Sequence, residues 1–196
     1  MTSPIELQIK KLYHAYRHTS DIDQKGLFFS PTCMQICRPI PSYAATSRAG
    51  IVKYLKDVQT GDMPVAQTEQ PQEPAAETEP LSRAVYTIRR LHAAEHEFSS
   101  NVITAAVGLS PSQLLQQSRD EAWVGMRVDL WDEGAPDVGL LVQVQYWWRK
   151  ESVNTGEEVE GDVVGEAMGW RQCLHDIISL GPKDGSEGQE GLEVLE

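Results

Sequence analysis

The chain reads as an α+β domain, with helices early and an antiparallel sheet late. Three observations predict it. Two early segments, near residues 3–20 and 46–58, carry apolar side chains at helical spacing. Three runs after residue 121 alternate apolar and polar residues, the mark of half-buried strands. The helical and extended patterns are segregated along the chain rather than interleaved. At 196 residues there is enough chain for one domain with a real core.

The elements follow in order. Ser3-Pro4-Ile5-Glu6 is a helix start: serine caps, proline fits the first turn, and glutamate closes the capping box. Ile5, Ile9, Leu12, Tyr13 and Tyr16 then form one buried stripe, and the helix should end near Ser20 or Asp21. "LFFSPTCMQICRP" leads through a turn into a strand at about 32–38. Thr46 or Ser47 caps a second helix with Ile51, Leu55 and Val58 on one side. Residues 59–80 carry four prolines, five acids and no base, and bury too little to offset ordering. They are expected to be a disordered excursion inside one domain spanning 1–180. "AVYTIRRL" (84–91) and "NVITAAV" (101–107) read as strands. Ser110-Pro111-Ser112-Gln113 is a second capping box, opening a short helix to about Ala122. "AWVGMRVDLW", "GLLVQVQYWWRK" and "MGWRQCLHDIISL" are the three long strands, the last two joined by an acidic loop at 151–166. The acidic tail 181–196 is expected to be disordered, and there is no internal repeat.

Alternation assigns faces. Val124, Met126, Val128 and Leu130 share one, with Leu140, Val142, Val144, Tyr146 and Trp148 beside them on the next strand. On the third, Trp170, Gln172, Leu174, Asp176, Ile178 and Leu180 should join this apolar face. Arg171, Cys173, His175, Ile177 and Ser179 should lie opposite. One extra residue would reverse that assignment. The other face gathers Trp123, Trp131 and Trp147 with Arg, Gln and Asp. Interfaces favour Trp and Arg, so a homodimer through these tryptophans is expected, unless loops of the same chain cover them.

Charge excludes several classes. The net charge is −12, but outside 59–80 and 181–196 there are 19 acids against 16 bases. No basic stripe is present to neutralise phosphates, so nucleic acid is not the partner. No apolar run approaches the roughly 20 residues of a membrane span, and "MTSPIELQIKKLYHAY" has no signal core. Three cysteines (Cys33, Cys37, Cys173) show no disulfide pattern, which suits a reducing, cytoplasmic setting. No glycine-rich phosphate loop or nucleophile elbow is present.

The succession of a long first helix, "LFFSPTCMQICRP", a helix at "SRAGIVKYLKDV" and strands ending in "GWRQCLHDIISL" resembles the SnoaL-like branch of the nuclear-transport-factor-2-like (NTF2-like) superfamily. "SPTCMQICRPIPS" before a helix is similar to the opening of small fungal isomerases and cyclases of this type. Gln35 stands where those tend to carry a histidine. The extra helix within 81–121 and the acidic excursion also depart from the pattern. The resemblance implies a curved sheet wrapped around helices to make a cone with an internal pocket, and members include cyclases, isomerases, dehydratases and non-catalytic modules. It implies a pocket Asp or His as base, with Tyr or a second acid stabilising an enolate, and no cofactor.

Within that frame Asp176 is the first choice of base, since a carboxylate in an apolar pocket has a raised pKa. Tyr16 is placed to donate to an oxyanion, and His175 is held as a catalytic candidate should a bulge turn it inward. Tyr13, Met126, Tyr146, Trp148 and Gln172 are the expected lining for a hydrophobic small molecule. The chemistry expected is isomerisation, cyclisation or dehydration, and the alternative is a non-catalytic binding or dimerisation module. "HAAEH" (92–96) matches the H-x-x-E-H pattern of some zinc peptidases. On a helix His92 and His96 would share a face, which makes a zinc hydrolase the minor alternative, although no metal site is otherwise expected.

Overall fold

A computed structural model describes residues 3–60, 83–98, 100–133, 140–186 and 192–194. Helix α1 (Pro4–His18) starts where the sequence places it, with the Glu6 amide donating to Ser3 Oγ at 3.2 Å, but the Glu6 carboxylate pairs with Lys10 at 3.1 Å instead of closing the expected capping box. Its buried stripe is Ile9, Leu12, Tyr13 and Tyr16; Ile5, in the first turn, falls outside it and is exposed. A short helix α2 (Ile22–Gly26), capped by Asp21, follows. Five residues are too few to show a period, so nothing announced it. Strand β1 (Phe29–Cys37) starts earlier than expected and includes Pro31, which an edge strand tolerates. Helix α3 (Arg48–Thr60) is capped by Ser47, whose Oγ accepts the Gly50 amide at 3.2 Å. It takes in residues 59 and 60, and the rest of the expected acidic excursion lies outside the described residues.

Strand β2 (Arg83–Arg90) matches expectation. Residues 101–107 do not form a strand. They form a short helix α4 (Asn101–Thr104) and a single 3-10 turn (Ala105–Val107). Ile103 and Val107 both pack against the outside of the sheet. Helix α5 (Pro111–Asp120) has the full capping box between Ser110 and Gln113. Strands β3 (Val124–Glu133), β4 (Leu140–Ser152) and β5 (Met168–Pro182) follow. Within the tail, Leu192–Val194 form β6, paired with β2, where no order was expected.

The sheet order is β1-β5-β4-β3-β2-β6. All pairs are antiparallel except β1 with β5, which is parallel. Helices α1 and α3 pack on one face, and the main core lies between them and the sheet, built around Leu12, Tyr13, Ile51, Tyr86, Met126 and Trp148. The opposite face is covered by the chain's own 91–123 segment: Leu91, Phe98, Val107 and Leu114 pack with Trp123 and Trp147. Trp131 is buried separately with Val85 and Leu141. The three tryptophans expected to meet a second subunit are thus buried within the single chain. Their large apolar area found cover locally.

Strand β5 decides the site. Trp148 pairs with Gln172 but Trp147 pairs with Leu174, so Cys173 is one residue too many. Val144 pairs with Ile177 but Gln143 with Ser179, so Ile178 is a second extra residue. Each bulge reverses the alternation. Between them His175 stands opposite Tyr146 on the inner face, and Asp176 opposite Gln145 on the outer one.

Candidate functional site

The inner face carries an unusual density of phenols. Tyr13 and Tyr16 come from the buried stripe of α1, Tyr86 from β2 and Tyr146 from β4. The Tyr13 ring centroid lies 5.7 Å from Tyr16, 5.3 Å from Tyr86 and 5.2 Å from Tyr146. His14 Nδ1 is 2.8 Å from Tyr86 Oη. Met126 and Trp148 are fully buried beside them.

Against this cluster stands His175. Its ring meets Phe29 edge-on at 5.1 Å and Tyr146 edge-on at 4.8 Å. Its Nε2 lies 2.5 Å from Gln172 Oε1. With that oxygen accepting, the imidazole carries its proton on Nε2 and keeps the Nδ1 lone pair. Burial pushes the His175 pKa down to about 3, so the ring is neutral at physiological pH. Burial acts the other way on the phenols, raising Tyr13, Tyr16 and Tyr146 above their usual range. The interior therefore holds protonated donors beside an unprotonated acceptor.

Several of these groups are unpaired. Gln172 Nε2, Trp148 Nε1 and Trp170 Nε1 are buried without a hydrogen-bond partner. Tyr13 and Tyr146 lie within hydrogen-bonding reach of one another, and each influences the other's ionisation. A buried donor without a partner is costly, about 1–3 kcal/mol, and calls for an explanation such as a ligand or water.

Of the residues expected at the site, Tyr13, Tyr16, Met126, Tyr146, Trp148, Gln172 and His175 stand on the inner side. Asp176 does not. It is fully buried on the outer side of β5, where Arg38 donates through Nε at 2.9 Å and Nη2 at 2.8 Å. A carboxylate clamped by a guanidinium is a structural anion, and the cause of its displacement is the extra residue at Cys173.

The zinc alternative fails on local geometry. Residues 93–95 form a 3-10 turn, not an α-helix, so His92 and His96 do not stack one above the other. Arg89 holds the Glu95 carboxylate at 2.8 Å through both nitrogens, which is the main reason its pKa falls to about 2. His96 packs edge-on against Trp147 at 5.4 Å. Among the described residues no three His, Cys, Asp or Glu side chains are grouped to hold a metal.

Two open clefts lie outside the aromatic interior. One is lined by Ser30, Thr32, Glu121, Arg149 and Glu151, whose polar groups already bond one another. The other lies between the 93–95 turn and α5, over Trp123 and Trp147. Sequence reasoning missed Arg17, which sits four residues after Tyr13 and so on the same helix face, and the contact of His14 with Tyr86. No helix among the described residues is long and apolar enough to cross a membrane.

The family model for the SnoaL-like domain matches residues 1–196. No curated protein and no solved structure matches the chain.

Proposed function

Because the chain belongs to the SnoaL-like domain family and has the α+β architecture of the NTF2-like cone, we propose that it carries out cofactor-independent proton transfer on a hydrophobic small molecule. The reaction is an isomerisation, cyclisation or dehydration. The observation that carries this reading is the neutral His175–Gln172 pair facing a cluster of protonated tyrosines, with Gln172 Nε2 buried and unpaired.

In this reading a carbonyl of the substrate accepts hydrogen bonds from Tyr13 and from the Gln172 amide, or from Tyr16 beside them. His175 Nδ1 removes a proton from the adjacent carbon, and the electron pair moves onto the carbonyl oxygen as an enolate. The phenol stabilises that charge. The imidazolium then returns the proton at a different carbon, or to a departing hydroxyl. A histidine held low by burial is a weak base at rest, but a developing oxyanion beside it favours the imidazolium and raises its basicity in step with the reaction. Apolar walls from Phe29, Met126 and Trp148 suit a hydrophobic skeleton. Three free, buried cysteines are in keeping with a reducing, cytoplasmic setting.

Exchange of substrate hydrogens in deuterated water tests this, with a panel of apolar ketones followed by mass spectrometry. The wild type is expected to catalyse exchange in at least one class, and His175→Gln to slow it roughly a hundredfold or more. Unchanged exchange in that variant would remove His175 from the mechanism. A second reading, a binding module without chemistry, is favoured by the extent to which Tyr13, Tyr86, Tyr146 and Trp148 fill the interior. A molecule retained in native mass spectra, with no exchange in the panel, would select it.

A further inference from the structure

We propose that the C-terminal turn of α1 binds the anionic group of the small molecule, so that the ligand class is an apolar skeleton bearing one negative charge. This rests on the reading that the tyrosine-lined interior takes a small molecule, and it adds the group by which that molecule is oriented.

Arg17 lies one helical turn beyond Tyr13 on the same face of α1, within electrostatic reach of the phenols of Tyr13, Tyr16, Tyr146 and Tyr86. Its Nε is buried and has no hydrogen-bond partner. Arg38, Arg48, Arg89, Arg127, Arg149 and Arg171 each pair with a carboxylate. Among the described residues Arg17 pairs with none, in a chain whose net charge is −12 and where acids are plentiful.

A second cation stands beside it. Lys25, positioned by α2, places its ammonium 5.1 Å from the centre of the Tyr16 ring. Burial lowers its pKa first and the neighbouring Arg17 lowers it further. Lys25 also has no carboxylate partner among the described residues. Two like charges held together in a half-buried position repel each other unless an anion joins them. The negative end of the α1 dipole favours cations here. It does not account for a buried guanidinium nitrogen with nothing to donate to. A guanidinium with an unpaired Nε beside a cluster of phenols suits a planar anion such as a carboxylate or sulfonate.

Two probes that differ by one charge test the assignment. Anilinonaphthalene sulfonate is an apolar fluorophore with a single sulfonate, and N-phenylnaphthylamine is its neutral counterpart. Both are titrated into the full chain, into Arg17→Met and Arg17→Lys, and into Lys25→Met, with circular dichroism as a check on folding. The sulfonate is expected to bind the wild type about tenfold tighter than the amine, a charge-assisted hydrogen bond contributing that much. Arg17→Met should abolish the preference while leaving the amine's affinity unchanged. Arg17→Lys should restore part of it, and high salt should weaken only the sulfonate. If the amine binds but the sulfonate has no advantage, or keeps its advantage in Arg17→Met, the anion assignment is overturned and the small-molecule reading stands. If neither probe binds, both are overturned. Should Arg17→Met fail to fold, Lys25→Met and the salt dependence carry the comparison: a preference unmoved by either overturns the proposal.

Discussion

His175 is buried as a neutral ring, and that has a measurable cost in acid. Its folded pKa is about 3, whereas an unfolded histidine titrates near 6.5. Below that value the unfolded chain binds a proton that the folded chain does not, so the stabilisation present above pH 6.5 is lost as pH falls. The slope is about 1.4 kcal/mol per pH unit for one such group. Urea unfolding between about pH 6 and pH 5, before most carboxylates titrate, should therefore show a steeper fall in stability for the wild type than for His175→Gln. Parallel slopes would mean that the ring is not desolvated. At this scale the sequence was legible where helical spacing governs, as for Tyr13 and Tyr16. It was misleading where a strand irregularity governs. Asp176 and His175 exchanged faces because of the single residue Cys173, and no local propensity marks a bulge formed by a cysteine. Arg38, which clamps Asp176, is 138 positions away in the chain, and nothing in either residue type announces the pair.

Among the elements, the three long strands were read from alternation because each has one dry face and enough residues to show it. The same reasoning failed for 101–107, where β-branched residues suggested a strand. That segment lies across the sheet rather than within it, so its backbone satisfies itself as short helical turns. Just past β2, the Leu91 amide donates to the Gly125 carbonyl at 3.0 Å, which sets Leu91 against β3 there, opposite Trp147 on β4. A Cβ at Gly125 would stand 2.5 Å from Leu91 Cδ1 and 3.0 Å from Trp147 Cζ3. Glycine is required there by close approach, not by backbone angle. Gly125→Ala is expected to destabilise the fold by about 1–3 kcal/mol through overpacking. Urea unfolding followed by tryptophan fluorescence would measure it. Because the strain falls on the outer layer, the affinity of the neutral probe for the inner face should not change. A loss of probe binding in folded Gly125→Ala would show that the two layers are coupled through the sheet.

The whole molecule separates its charge from its core. The acids that make the chain strongly negative concentrate in 59–80 and in the tail, whereas the sheet and helices are nearly balanced. Helix α3 ends at Thr60 and β2 begins at Arg83, and both pack into the domain through their own side chains. The intervening stretch is poor in large apolar residues, so it has little to contribute to a core. If it acts only as a tether, its length matters through loop-closure entropy alone, at about 0.6 kcal/mol for each halving. Replacing residues 61–82 by a Gly-Ser linker of about half that length should then raise stability by roughly that amount. A small extra gain would come from removing like charges. The urea midpoint should shift slightly upward with an unchanged slope, and the sulfonate probe should bind as before. A fall in stability of more than about 1 kcal/mol would instead mean that the stretch packs on the domain. Tighter sulfonate binding in the shortened chain would mean that its acids compete for Arg17 and Lys25.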